Sequence, residues 1–199
     1  MTATHHSRHI LALAGSLHRN GYNQRLLENA ARIAPAGLGI EVYTALSAVP
    51  PFDEDLEAAS GDGPDGVRHL RHAVAAADGV LIATPEYNQS LPGVLKNAID
   101  WLSRPAPEEV LSGKPIAIMG ASPGRWGTRL AQAALRQVLA ATESAVMPAP
   151  MLFMRDAALA FDADGQLVDA ATLASLRNLL DAFDRWIDHA GAVPQRPAA

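Results

Sequence analysis

Residues 79–102 read Gly79-Val80-Leu81-Ile82-Ala83-Thr84-Pro85-Glu86-Tyr87-Asn88-Gln89-Ser90-Leu91-Pro92-Gly93-Val94-Leu95-Lys96-Asn97-Ala98-Ile99-Asp100-Trp101-Leu102. The opening run, Gly79 to Ala83, is uninterruptedly apolar, as in a strand buried on both faces of a sheet. Pro85 and Pro92 bracket a polar loop and stiffen it. Pro92 also opens a helix, where its missing N–H costs nothing, and the helix is expected to reach about Leu102. Strand, loop and helix in this order make half of a parallel β-α-β unit.

The same rhythm extends both ways. Upstream, Ile10 to Ala14 reads as a buried strand ended by Gly15, and Asn23 to Ile33 as a helix with Leu26, Ala30 and Ile33 on one face. Gly39 to Thr44 is a shorter strand. Ser47 to Gly63 is expected to be a long loop, and Asp65 to Ala76 a helix turning Val67, Leu70 and Val74 inward. Downstream come a strand at Pro115 to Met119, a loop at Ala121 to Gly127 and a helix to about Ala141. A fifth strand lies within Val146 to Phe153, weakened by Pro148 and Pro150, and a last helix spans roughly Thr172 to His189. This is the α/β class: a doubly wound, five-stranded parallel sheet with helices on both faces. No repeat or domain boundary interrupts it. Residues 1–8, with His5 and His6, and the Pro/Ala-rich residues 191–199 are expected to be flexible ends, and His9 is read with the first of them as a frayed terminus.

The bulk numbers narrow the function. The chain has 199 residues, 49% hydrophobic and 19% charged, enough for one full core. A net charge of −5 argues against nucleic acid as a partner, which needs clustered Lys and Arg. Cysteine is absent, which removes disulfides, thiolate nucleophiles and Cys-based metal sites, so redox chemistry requires a bound cofactor. The absence fits a reducing compartment, and a cytoplasmic location is expected. No apolar run approaches the roughly 20 residues that span a bilayer, and Met1 to Arg8 lacks the apolar middle of a signal peptide.

In a doubly wound sheet, ligands bind beyond the carboxyl ends of the strands where strand order reverses. For the flavodoxin-like order 2-1-3-4-5, that point lies between the first and third strands. The loops there, 15–23 and 85–91, are the most distinctive polar segments of the chain. The first, Gly15-Ser16-Leu17-His18-Arg19-Asn20-Gly21-Tyr22-Asn23, offers backbone N–H groups, a hydroxyl and an amide at a helix N-terminus. It is neither a Walker A loop nor a Gly-x-Gly-x-x-Gly turn, which leaves a monophosphate site or an ordinary turn capped by Asn23. The second loop carries an aromatic and amides suited to a planar ring. Glu86 there is either a ligand or a solvated, locally paired carboxylate. The third, Gly120-Ala121-Ser122-Pro123-Gly124-Arg125-Trp126-Gly127, offers close backbone approach at Gly124 and a hydroxyl at Ser122. Arg125 is a candidate for a second, phosphate-bearing substrate, against a plain surface charge. His69 and His72 lack a third ligand and Asp53-Glu54-Asp55 reads as a solvated loop, so no metal site is assigned. No Ser/His/Asp arrangement supports hydrolysis.

At these loops the chain resembles the NADPH-dependent FMN reductase family, including bacterial chromate and quinone reductases. Pro85 to Arg104 carries the strongest match. Gly15-Ser16-Leu17 with Asn23, Gly113-Lys114-Pro115, and Ser122 with Gly124 match elsewhere, and the resemblance covers roughly residues 9 to 188. It implies one flavodoxin-like FMN-binding domain over 9–190, order 2-1-3-4-5. Ser16, His18 and Asn23 would clamp the FMN phosphate, with Gly21 and Tyr22 in the same loop. Glu86, Tyr87 and Asn88, after Pro85, would lie along the flavin ring, and Ser122 would contact it with Gly124 alongside. The implied activity passes hydride in a ping-pong cycle from NAD(P)H through flavin N5 to a small-molecule electron acceptor: a quinone, azo compound, chromate or free flavin. No side chain is given a catalytic role. Family members are dimers or tetramers, so a homodimer or homotetramer is expected, with Trp101 as an interface anchor or a half-buried core residue.

Three positions depart from the family pattern: His18 stands where Arg is usual, Gly21 where a second Ser is usual, and Thr128 where a second Gly is common. The first two departures remove a fixed charge and a hydroxyl. Hydrogen bonds to charged groups contribute about 1.5–3 kcal/mol each, so FMN is expected to bind tens to thousands of times more weakly unless something compensates. That keeps two alternatives in view: a reductase supplying diffusible reduced flavin to a monooxygenase, and a flavodoxin-like electron carrier.

Overall fold

The computed structural model describes residues 7–61, 63–104 and 109–192. Its sheet is parallel, with strands β1 (Arg8–Ala14), β2 (Leu38–Tyr43), β3 (Gly79–Ala83), β4 (Pro115–Ala121), β5 (Ala145–Val146) and β6 (Leu152–Met154). The order is β2-β1-β3-β4-β5, with β6 also on β4. The expected order 2-1-3-4-5 is therefore observed, but the fifth lane is broken. The first half of β4 pairs with β5 through Pro115↔Ala145, and its second half with β6 through Met119↔Leu152. Pro148 and Pro150 lie between the two pieces, and a proline has no N–H for a ladder bond.

Among the described residues six α-helices cover the faces: α1 (Tyr22–Ile33), α2 (Glu54–Ser60), α3 (Asp65–Ala76), α4 (Gly93–Leu102), α5 (Arg129–Ala141) and α6 (Ala170–Ala192). Alternation along the strands divides the core in two. Ile10, Ala12 and Ala14 of β1, Leu81 and Ala83 of β3, and Ala117, Met119 and Ala121 of β4 face α1 and α6. Leu11, Leu13, Val80, Ile82, Ile116 and Ile118 face α3, α4 and α5. The first face is built largely of alanine toward the carboxyl ends of its strands. Small side chains admit α1 close to the sheet, and its N-terminus lies at the edge where the loops emerge.

Some expectations need correcting. Arg8 and His9 belong to β1 rather than to a frayed end, and Arg8 is paired with Asp184 and Asp188 of α6. His5 and His6 lie outside the described residues, as do residues 193–199, while Gly191 and Ala192 close α6. The expected loop 47–63 contains part of a 3-10 turn (Leu46–Ala48) and helix α2. Asp53 caps α2 by accepting from the N–H groups of Asp55 and Leu56, so the acidic triplet is a helix start rather than a solvated loop. Trp101 is buried, 2% exposed; its Nε1 donates to Pro50 O at 2.9 Å and its ring meets Phe52 edge-on. It is a core residue and cannot anchor a partner. Lys114 of the Gly-Lys-Pro motif closes the C-terminal end of α3, donating to Ala77 O at 2.6 Å, and burial lowers its pKa.

Candidate functional site

The carboxyl ends of β1, β3 and β4 lie side by side, and their loops converge. Gly15 N donates to Ala83 O at 2.8 Å and Thr84 N to Met119 O at 3.0 Å, so the ladder continues one residue into the loops. A Cβ on Gly120 would collide with Thr128 Oγ1 and Thr84 O, so this approach admits only glycine. Thr128, the third departure from the family pattern, is buried with its hydroxyl accepting from Gln132 Nε2 at 2.9 Å.

In the first loop, α1 starts bare. Its cap is Gly21, no side chain satisfies its N-terminus, and its first turn holds no acid. The first helical bond runs from Arg25 N to Gly21 O, which leaves the N–H groups of Tyr22, Asn23 and Gln24 for an acceptor outside the helix. His18 and Gly21 are coupled: Gly21 N donates to His18 O at 2.9 Å, and a Cβ on Gly21 would lie 3.0 Å from both His18 O and His18 Nδ1. The imidazole occupies the room that a larger residue at 21 would need, so the two departures belong together. The Asn23 side chain does something other than clamp an anion. It is buried, its Nδ2 donates to Ala121 O at 2.9 Å, and its Oδ1 accepts from Ala121 N at 2.8 Å. It fastens the first loop to the third and leaves its backbone N–H for a ligand.

The second loop is a tight hairpin. Tyr87 and Ser90 exchange both backbone bonds at 3.0 Å, and Asn88 and Gln89 have φ of 50° and 64°. Two left-handed residues in a two-residue turn are the signature of type I′, which is strained for Gln. Tyr87 is 52% exposed, and its hydroxyl meets Ser16 Oγ at 3.2 Å, joining the second loop to the first. Glu86, partly exposed, reaches the start of α5. Its Oε2 accepts from Leu130 N at 2.9 Å and Ala131 N at 3.0 Å, capping α5, whose own cap residue Thr128 makes no side-chain bond to the N–H groups of the helix end. Glu86 is thus locally paired through one carboxylate oxygen, and it also lines the cavity between the loops.

In the third loop, Ser122 N donates to Met154 O and Ser122 Oγ accepts from Gly124 N, each at 3.0 Å. Its hydroxyl hydrogen is what it can offer a ligand. The Arg125 guanidinium lies 4.7 Å over the exposed Trp126 ring.

Of the expected residues, Ser16, His18, Gly21, Tyr22, Asn23, Pro85, Glu86, Tyr87 and Ser122 line one cavity of about 260 Å³. Asn88, at the hairpin tip, and Gly124 and Arg125 are not among its lining residues. Gln24, Ala121 and Pro123 line it too, and sequence reasoning missed them. Gln24 had a usable signal, since it shares the first turn of α1 with Tyr22 and Asn23. A second cavity of about 440 Å³ lies on the β2 side of the first loop, lined by Arg19, Tyr43, Thr44, Leu46 and Ser47 and sharing Ser16, His18 and Gln24 with the first. Nothing in the sequence pointed to it. A further cavity, of about 550 Å³, lies away from the switch point, along residues 151–156 and the start of α6.

A doubly wound sheet of this order, with a bare helix N-terminus and a rigid aromatic hairpin at its switch point, defines a flavodoxin-like ligand-binding protein. The chain belongs to the NADPH-dependent FMN reductase family, whose model matches residues 8–158. It is 43% identical over 178 residues to an NAD(P)H-dependent FMN reductase of Pseudomonas aeruginosa, covering 89% of this chain and 94% of that protein. It is 37% identical to a 2-hydroxy-1,4-benzoquinone reductase of a Burkholderia species, over 89% and 95% of the two chains. Among solved structures it superposes on FerB, a flavoenzyme NAD(P)H:(acceptor) oxidoreductase from Paracoccus denitrificans, with a TM-score of 0.84, 34% identity and coverage of 92% and 98%.

Proposed function

We propose that this protein holds FMN in the cavity between the three loops and passes hydride from NAD(P)H to a small acceptor such as a quinone, azo compound, chromate or free flavin. One observation carries the reading: the uncapped, acid-free N-terminus of α1 opens into the same cavity as the rigid hairpin at Tyr87. The residues present suit the cofactor. The backbone N–H groups of Tyr22 to Gln24, with Ser16 and His18, would hold the phosphate. Pro85 to Tyr87 and Ala121 to Pro123 would line the flavin ring, with the Ser122 hydroxyl at its edge. Bound FMN accepts a hydride and passes it on. The chain positions it and keeps the cavity mouth accessible, beside the exposed Leu17 and Tyr87.

A second reading has its own support. Among the described residues no Lys or Arg lines this cavity, so the phosphate would meet neutral donors and His18. That favours weak retention, and with it a reductase that releases reduced flavin to a partner enzyme. Self-association into a dimer or tetramer is part of the proposal, supported by the exposed apolar side chains of Trp126, Leu130 and Met151. So is a cytoplasmic location, supported by the absence of cysteine; among the described residues no helix is long and apolar enough to cross a membrane.

One experiment tests the main reading. Purified protein reconstituted with FMN should show flavin absorbance that NADPH bleaches without oxygen and a quinone restores. Failure to bind FMN, or bound flavin that NADPH leaves oxidised, overturns it. FMN that bleaches but is lost on gel filtration supports the second reading.

A further inference from the structure

The two cavities flanking the first loop are lobes with a common wall, Ser16, His18 and Gln24. The first, at about 260 Å³, is below the roughly 300–1,000 Å³ usual for small-molecule sites, whereas the second, at about 440 Å³, is within that range. Their linings differ in charge. Arg19 lines the second lobe and not the first, so the guanidinium of this loop stands one residue further along, on the β2 side. A phosphomonoester on the α1 N-terminus would leave Arg19 outside its lobe. A pyrophosphate reaching across the loop would place one phosphate on the bare helix end and the other beside Arg19.

What lies beyond Arg19 suits a nucleoside. Thr44 and Ser47, in the turn after β2, line the second lobe and carry hydroxyls that a ribose could use. Leu46 and the half-exposed Leu17 supply apolar surface for a base. Tyr43 is fixed beneath them, its hydroxyl 3.0 Å from His69 Nδ1, and burial raises its pKa, so it remains a neutral phenol.

We propose that the second lobe takes the adenylate half of a dinucleotide whose other half occupies the first lobe. The inference rests on reading the first lobe as a flavin site. Two dinucleotides carry that chemistry: FAD, with its flavin in the first lobe and its pyrophosphate across the loop, and NAD(P)H, with its nicotinamide brought to a flavin already there and its pyrophosphate beside Arg19 alone, the helix end then being taken by the flavin's own phosphate.

Two variants test it, Ser47→Trp to fill the lobe and Arg19→Ala to remove its charge, the second preserving the turn if the first disturbs it. The full chain, stripped of flavin, is titrated with FAD and with FMN by fluorescence quenching. If FAD is the source, both variants raise the Kd for FAD at least tenfold and leave that for FMN within about twofold. If NAD(P)H is the source, both flavins bind the variants as they bind the parent. The KM for NAD(P)H then rises at least tenfold in the FMN-loaded variants, and that for reduced nicotinamide mononucleotide, which lacks the adenylate, does not change. If neither FAD affinity nor the KM for NAD(P)H changes, the proposal is overturned. A parent that binds no flavin defeats the reading of the first lobe instead, and calorimetry with ADP alone then decides the second. ADP binding lost in both variants upholds the proposal, and no ADP binding by the parent overturns it.

Discussion

Helices α1 and α5 both begin at the carboxyl edge of the sheet, and their N-termini end differently. That of α5 is closed by a carboxylate from the hairpin loop, Glu86, on the N–H groups of Leu130 and Ala131. Those of α2 and α6 are closed too, by Asp53 and by Asp169, whose Oδ2 accepts from Thr172 N. The α1 terminus has glycine as its cap and no acid in its first turn. A helix N-terminus carries roughly half a positive charge, and an anion there is stabilising. Closing one terminus from within the chain stabilises the fold, whereas leaving the other bare reserves that stabilisation for a ligand. The difference also explains how two polar loops divide their work: the acid of the hairpin accepts from protein N–H groups, and the acid-free loop leaves its own N–H groups for a ligand.

The sharpest way to break the comparison is to make α1 resemble α5. Gly21→Asp supplies an internal carboxylate, and a bound phosphate then loses at least two hydrogen bonds of about 1.5–3 kcal/mol each. FMN affinity should fall a hundredfold or more by fluorescence titration, while riboflavin, which has no phosphate, binds the variant as it binds the parent. Equal loss for both flavins would place the phosphate elsewhere. Asn23→Ala tests the tie beneath the bare end. It leaves Ala121 N–H and C=O buried without partners, and unfolding in urea should show a loss of about 2–4 kcal/mol. His18→Arg with Gly21→Ser sharpens the comparison in the opposite direction, tightening FMN binding tenfold or more. Gly21→Ser alone should do far less, because its Cβ meets His18. The smallest effect is at the closed end. Glu86→Ala should cost about 1–2 kcal/mol of stability and Glu86→Gln less than about 1, with FMN affinity changed under threefold. Intact stability with a hundredfold loss of FMN would make Glu86 a ligand and end the contrast.

Much of this was legible in the sequence, and what was not has physical reasons. Uninterrupted apolar runs identified β1, β3 and β4, because a strand buried on both faces leaves no polar position. Pro85 and Pro92 marked the hairpin and the start of α4. Helix α2 was hidden because it buries no residue, so no apolar period betrayed it, although Asp53 before Glu54 and Asp55 was a usable start signal. The broken fifth lane was visible as prolines but not as two strands, since pairing depends on where β4 runs. The roles of Asn23 and Glu86 were out of reach. Each joins loops far apart in the chain, Asn23 to Ala121 and Glu86 to Leu130, and no local pattern records a partner at that distance.

The bond between Ser16 Oγ and Tyr87 OH has a consequence in time rather than in affinity. It bridges two loops on the wall of the cavity, so an occupant whose path runs between those two side chains parts it on the way in. The bond re-forms once the occupant has passed, and it must open again for departure. A neutral hydrogen bond of about 0.5–1.5 kcal/mol slows each passage by up to roughly tenfold and leaves the balance between them unchanged. Its effect is on residence: how long a guest stays once admitted.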